Sequence, residues 1–297
     1  MKTVKLFVLS LVSALVVSCG TTSTVPLSGR QQRLMVTDGE VLSLSTQQYQ
    51  EFMKSAKTST NATNTAMVKR VGQKLASAVT NFLQNNGMAD DVQNFAWEFN
   101  LVQDASVNAW CMPGGKIVVY EGLLPVTQDE PSLAIVLGHE IAHAVARHSA
   151  EQLSTQMRQQ NIMQIGTAIA GAVGMGEKTQ SIVQTAAALN FNFGNLKYSR
   201  DHESEADYMG LIFAAMAGYD PQVAVSFWQR MAAASTNQQA EFFSDHPSDE
   251  TRIANIQKWM PEALKYYSGG SSSATATSAA KSNTKAVKTL HISSKKK

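Results

Sequence analysis

The sequence predicts a helix-rich α+β domain with a small β-sheet beside one long apolar helix. Three observations carry this. Phe52, Val68, Val71, Leu75, Val79 and Phe82 fall near helical spacing within residues 47–86. A second stretch, residues 132–147, is apolar almost throughout. Between them lie two strand-like segments: residues 95–102 alternate apolar and polar, and residues 116–121 are β-branched and aromatic after the turn Pro113-Gly-Gly115. A chain of 297 residues that is 44% hydrophobic can bury one sizeable core. The net charge of +2 and the lack of any nucleic-acid motif point away from a nucleic-acid partner.

Along the chain, Met1-Lys-Thr-Val-Lys5 is basic, and Leu6 to Val17 is an apolar core too short to span a bilayer. Val16-Val-Ser-Cys19-Gly20 follows. Residues 1–18 therefore read as a secretory signal whose end resembles a bacterial lipobox. The small residue before Cys19 suits cleavage, and the Cys19 thiol is then expected to be the lipidation site. Gly20 rather than Asp resembles lipoproteins sorted to the outer membrane. Several acyl chains hold a protein firmly where a single one binds marginally. The alternative is plain secretion with cleavage elsewhere, and the position of the cysteine favours lipidation. Residues 19–45 read as a tether and 46–265 as the folded domain.

Within that domain Asn85-Asn-Gly87 stops the first helical stretch. The 116–121 strand is either an exposed edge, able to take an extended peptide by strand addition, or an ordinary internal strand. Residues 150–190 carry an apolar run from Ile162 to Val173 interrupted by glycines. A packed helical hairpin with a lid role over a cleft is the favoured reading, ahead of a membrane-touching hairpin. Residues 222–234 and 248–262 read as further helices. After Glu262 there is no acidic residue, and lysines recur to Lys297, so 266–297 is expected to be a disordered basic tail. With Cys19 lipidated, Cys111 has no partner in the chain, and it is expected to serve as a small buried hydrophobe.

Residues 139–143 read His-Glu-Ile-Ala-His inside the apolar helix. Positions i and i+4 share a helical face, so His139 and His143 can present two imidazoles to one zinc ion. Glu140 beside them can take a proton from an attacking water. The competing reading, two satisfied core histidines, requires an apolar helix to bury three ionisable groups without a partner. A second helix opens with Arg200-Asp-His-Glu-Ser-Glu-Ala-Asp207. There Glu203 can complete a site of two histidines and one glutamate with a position left open. Asp207, one turn on, can accept a hydrogen bond from the far nitrogen of a ligating histidine. Asp201 and Glu205 are expected to face solvent.

With these motifs on view, the chain resembles the gluzincin metallopeptidases, in the family of the CaaX prenyl protease and the HtpX-like and mitochondrial OMA-like proteases, and in particular their periplasmic lipoprotein branch. The resemblance covers roughly residues 30–262 and includes Asn108–Leu124 and Ser244–Arg252. It implies a zincin-type metallopeptidase domain, one Zn2+ per chain, and a substrate peptide aligned by Asn108 and Ala109. It also implies that His246 approaches the metal, either stabilising the oxyanion or capping the ion when idle, with Arg252 in support. The remaining histidines, His148, His202 and His291, carry weaker signals.

The expected activity is a zinc-dependent endopeptidase of the bacterial cell envelope. It would be lipid-anchored through Cys19 on the periplasmic face of the outer membrane. The resemblance implies unfolded or misassembled envelope proteins as substrates and outer-membrane assembly machinery as a candidate partner. The alternative is a chaperone-like assembly factor that holds clients and keeps a latent metal site; intact Glu140 favours the enzyme, since binding alone needs no base.

Overall fold

The computed structural model describes residues 20–170, 189, 191–235, 242, 246 and 251–268. The signal and nearly all of the basic tail lie outside these residues, as does the second arm of the 150–190 hairpin with its lid role. The described residues open with a hairpin of β1 (Thr21–Thr24) and β2 (Gln31–Leu34), followed by helix α1 (Asp38–Ser55). The span expected to be a tether is thus largely folded. In β2 every second side chain is buried, and Thr37 closes a capping box with Glu40 at the start of α1. Helix α2 (Ala62–Asn85) is capped by Asn61 and ends at Asn86, before Gly87 at φ 77°, where the sequence placed its stop.

Three strands follow: β3 (Glu98–Val102), β4 (Ala109–Met112) and β5 (Lys116–Tyr120). Their order is β3-β5-β4, with β5 parallel to β3 and antiparallel to β4. The 116–121 segment is therefore the central strand, and β3 and β4 are the edges. Both faces of β5 are covered. Ile117 and Val119 join the main core with α2, while Val118 points to a second cluster with α1. A strand buried on both faces reads as a continuous apolar run.

Helix α3 (Glu130–Val145) carries the His-Glu-Ile-Ala-His motif. Asp129 caps it by accepting the Ser132 N–H at 2.8 Å, and Pro131 sits in its first turn. It ends at Ala146, and Arg147 adopts φ 56° before α4 (His148–Ala170) begins. A left-handed conformation at a long side chain is uncommon. Here the Arg147 guanidinium is fixed by Asp38 and Asp91, each at 2.8 Å. Helix α5 (Arg200–Met216) is capped by Ser199 and crosses α3 closely. Helices α6 (Val223–Ser235) and α7 (Arg252–Ala263) complete the fold. No helix among the described residues is long and apolar enough to cross a membrane.

Candidate metal centre

Helices α3 and α5 and the loop residue His246 bring His139, His143, Glu203 and His246 together, with one ligand atom from each inside a 4.8 Å group. His139 Nε2 and His143 Nε2 are 3.0 Å apart. Glu203 Oε2 lies 3.3 Å from His139 Nε2, and Glu203 Oε1 lies 3.3 Å from His143 Nε2. His246 Nδ1 stands 3.3 Å from His139 Nε2 and 3.1 Å from Glu203 Oε1. A tetrahedron with bonds of roughly 2.0–2.1 Å has edges of about 3.4 Å, so this spacing suits one zinc ion. The donor set, imidazole nitrogens and a carboxylate, suits the same ion.

The surrounding contacts fix each donor. His139 Nδ1 faces Asp207 Oδ1 at 2.9 Å, so Nδ1 carries the hydrogen and Nε2 keeps its lone pair toward the cluster. Arg252 Nε donates to Asp207 Oδ2 at 2.6 Å, and its Nη2 donates to Asp207 Oδ1 and Glu203 Oε2 at 3.0 and 3.1 Å. The same guanidinium lies 3.8 Å from the Trp228 ring. His246 stacks on Phe242, and His143 stacks on Tyr198 with centroids 3.9 Å apart.

Burial and charge pull these groups in opposite directions. Burial works against the His139 charge, but the Glu203 and Asp207 carboxylates raise its pKa to about 9. Burial likewise opposes the Glu203 charge, yet His246 and His139 hold it well below the ordinary carboxylate range. At His143 burial dominates and pushes the pKa well down. Glu140 is raised by burial, with His246 and His139 acting against that rise. Its Oε1 has no hydrogen-bond partner among the described residues and faces His246 Nε2 at 3.6 Å. The Cys111 backbone also hydrogen-bonds this carboxylate. A base with one free oxygen beside the cluster can accept a proton from a water there.

The edge strand β4 borders the cleft with Glu140, Leu196, Tyr198 and His246. Tyr120 N–H bonds Asn108 O at 3.1 Å, so in this register Ala109 and Cys111 turn their backbone groups away from β5. The N–H groups of Ala109 and Cys111 have partners within the chain, Asn108 and Glu140. Asn108 Oδ1 accepts from Ala109 N–H at 2.8 Å, and Phe242 N–H donates to Val107 O at 3.2 Å. Ala109 thus lines the cleft, whereas the buried Asn108 side chain folds back onto its own strand. Burial, then the Glu140 charge, hold the Cys111 thiol well above its usual range, in keeping with a small buried hydrophobe.

Two expectations need correction. Glu205 is buried rather than solvated, because the opposite face of α5 meets Arg30, Ser28 and His148. His148, a weak signal in sequence, lies 2.9 Å from His143. Within an unbroken helix a residue five positions after His143 would turn away from it; the left-handed Arg147 brings it back. Tyr198 and Trp228 also join the site without any sequence pattern having marked them.

Fold and cluster together define a zincin-type metallopeptidase domain with a site for one zinc ion. Residues 62–260 match Peptidase family M48, and the chain belongs to that family. It is 38% identical over 181 residues to the mitochondrial metalloendopeptidase OMA1 of Schizosaccharomyces pombe, covering 60% of this chain and 50% of that protein. With the human metalloendopeptidase OMA1 it shares 28% identity over 247 residues, 81% of this chain and 46% of the other. The beta-barrel assembly-enhancing protease of Yersinia pestis is 28% identical over 164 residues, 54% of this chain and 34% of its own. The chain thus spans about half the length, or less, of these curated relatives.

Proposed function

We propose that the protein is a zinc endopeptidase that cleaves misfolded or stalled proteins of a bacterial envelope while anchored to the outer membrane through acylated Cys19. The observation that carries the catalytic part is the tetrahedral spacing of four buried donors with Glu140 Oε1 free at their side. His139, His143 and Glu203 would hold the metal. Zinc, when bound, supplies a Lewis acid that polarises the peptide carbonyl and acidifies water. Glu140 takes the proton from the attacking water and passes it to the leaving amine, and its burial favours holding that proton in between. Asp207 fixes the tautomer of His139, and Arg252 fixes Asp207.

Substrate enters as an extended strand along β4, where the backbone carbonyls of Ala109 and Cys111 supply sequence-independent bonds. His139, Glu140, His143, Glu203 and His246 are each at most 3% exposed, so this closed arrangement is the resting form. His246 would occupy the remaining position beside His139 and Glu203, and the Phe242 N–H occupies Val107 O next to β4, so displacing these two residues would open the site to substrate. The envelope assignment rests on the basic start, the short apolar core and Cys19. The name of the Yersinia pestis relative supports misassembled β-barrel proteins as clients and the assembly machinery as a partner.

The test has two arms. Purified protein should cleave unfolded casein, and a chelator should abolish this until zinc is restored; chelator-resistant cleavage refutes the mechanism. Wild type should fractionate with membranes, carrying acyl groups on an N-terminal Cys19, while Cys19→Ala should be released. An unmodified mature chain starting elsewhere refutes the anchor.

A further inference from the structure

The two histidines of α3 are supported differently. His139 leans directly on a carboxylate, Asp207. Among the described residues no carboxylate meets the far nitrogen of His143; its Nδ1 meets His148 Nδ1 at 2.9 Å. His148 Nε2 in turn meets Glu205 Oε2 at 2.8 Å. Glu205 accepts from Arg30 Nε at 2.8 Å through the same oxygen, and from Ser28 Oγ through the other. Arg30 then spans to Glu151 with a bidentate pair at 2.9 and 2.8 Å. His202 Nε2 meets the same Glu151 at 3.2 Å, and the His202 ring stacks on His148 with centroids 4.4 Å apart. His148 is fully buried and Glu205 nearly so.

Chemistry fixes the direction of this chain. With the His143 Nε2 lone pair turned to the cluster, Nδ1 must carry the hydrogen. His148 Nδ1 must then accept, which places the His148 hydrogen on Nε2, facing a carboxylate that can only accept. Glu205 has no freedom to turn away, because Ser28 and Arg30 donate to both of its oxygens. Every member therefore has one permitted role. The relay ends on the loop between β1 and β2, about 175 residues from Glu205 in the chain.

We propose that His148 is the positioning residue for His143, and that the β1–β2 hairpin, through Arg30 and Glu205, sets the geometry of the zinc site. This rests on the reading of His143 as a metal ligand. The hairpin is then part of the catalytic domain, although the family match begins only at residue 62. Whatever shifts Arg30 alters the metal site without touching the cleft.

The experiment measures zinc affinity of the full chain by competition with a chromophoric chelator. It also records the visible absorption of the cobalt-substituted protein and the thermal midpoint of the metal-free form. His148→Leu, which removes the acceptor, should weaken zinc roughly 10–100-fold, the usual scale for such partners, and shift the cobalt bands. His148→Gln keeps an amide oxygen for His143 and an amide N–H for Glu205, and should recover most of that loss. Arg30→Met lies on the surface side of the relay, so it folds even if His148→Leu does not; it should cost at least about 3-fold, below the scale of a direct partner. His143→Ala is the control. If it retains wild-type zinc affinity, the metal-site reading itself fails. If it loses zinc while His148→Leu and Arg30→Met keep wild-type affinity and cobalt bands, the relay is refuted. A lowered thermal midpoint with unchanged zinc affinity refutes it equally, since that result describes packing alone.

Discussion

Gly138 on α3 and Gly210 on α5 pack backbone to backbone at the centre of the site. A Cβ on Gly210 would lie 2.6 Å from the His139 backbone nitrogen, and one on Gly138 would lie 2.6 Å from the Gly210 carbonyl oxygen. Backbone cannot swing aside as a flexible side chain can. The absence of both Cβ atoms lets the two helices approach until His139 and Glu203 share a cluster. Gly210→Ala should therefore cost about 1–3 kcal/mol as an overpacked core position and also weaken zinc binding. Denaturant unfolding and a zinc competition titration check the two parts; unchanged stability would mean the helices separate freely.

Glu140 touches none of the contacts that hold the metal donors in place, apart from facing His246. Glu140→Gln should keep zinc at full occupancy and lower peptide cleavage by roughly two to four decades. Metal analysis alongside a quenched-peptide assay separates the two, and near-wild-type turnover would remove Glu140 from the mechanism.

Asp207 serves His139 and Arg252 together. Removing it leaves a buried guanidinium short of one partner as well as freeing the imidazole. Asp207→Ala should weaken zinc roughly 10–100-fold. Asp207→Asn, which can still accept from His139 Nδ1, should lose less. Equal losses in the two variants would assign the effect to the Arg252 pair rather than to histidine orientation.

Glu151 gives a pH dependence. Burial would raise its pKa, but hydrogen bonds from His202 and Arg30 bring it down to about 2 from the ordinary 4.5. A carboxylate depressed on folding adds stability that is complete above its unfolded pKa and is lost as pH falls through the folded value. The thermal midpoint should therefore drop between about pH 4.5 and 2, and Glu151→Gln should flatten that limb while lowering stability at neutral pH. A midpoint falling equally steeply in the variant would place the acid sensitivity in other carboxylates.

Much of the site was legible because local spacing determines it. His139, Glu140 and His143 follow from one helical turn, as do Glu203 and Asp207 from another, and the apolar flanks require that such groups share a purpose. What escaped depends on contacts distant in the chain. Glu205 sits two residues after Glu203, and helical geometry turns it away from the metal, so it read as solvated; its partners Arg30 and His148 lie 175 and 57 positions distant. His148 was hidden by the left-handed Arg147, a conformation that no glycine or asparagine announced. The hairpin at 21–34 is mostly polar in sequence, and its anchoring comes from side chains of other elements, not from its own pattern. The central position of β5 was partly written in Ile117-Val-Val119, whose unbroken apolar run suits two covered faces better than an edge.

His246 meets two demands that zinc exchange and turnover tell apart. Its Nδ1 is within 3.3 Å of both His139 Nε2 and Glu203 Oε1, as a fourth ligand would be, and its Nε2 points to Glu140. In that position it would keep water and substrate from a bound metal, as the proposed mechanism requires. Displaced from that position, its imidazole would be placed to donate to the oxyanion of the tetrahedral intermediate. His246→Ala removes both functions. Loss of the cap should speed zinc release to a chelator, because one donor and its stacked ring no longer close the site. Loss of the donor should slow cleavage about 10²–10³-fold even at saturating zinc, the scale seen when an oxyanion donor is deleted. Measured together, faster zinc exchange with slower turnover is the expected signature. Faster exchange with faster turnover would leave His246 as a cap alone, and wild-type behaviour in both would reduce it to a loop residue resting on Phe242.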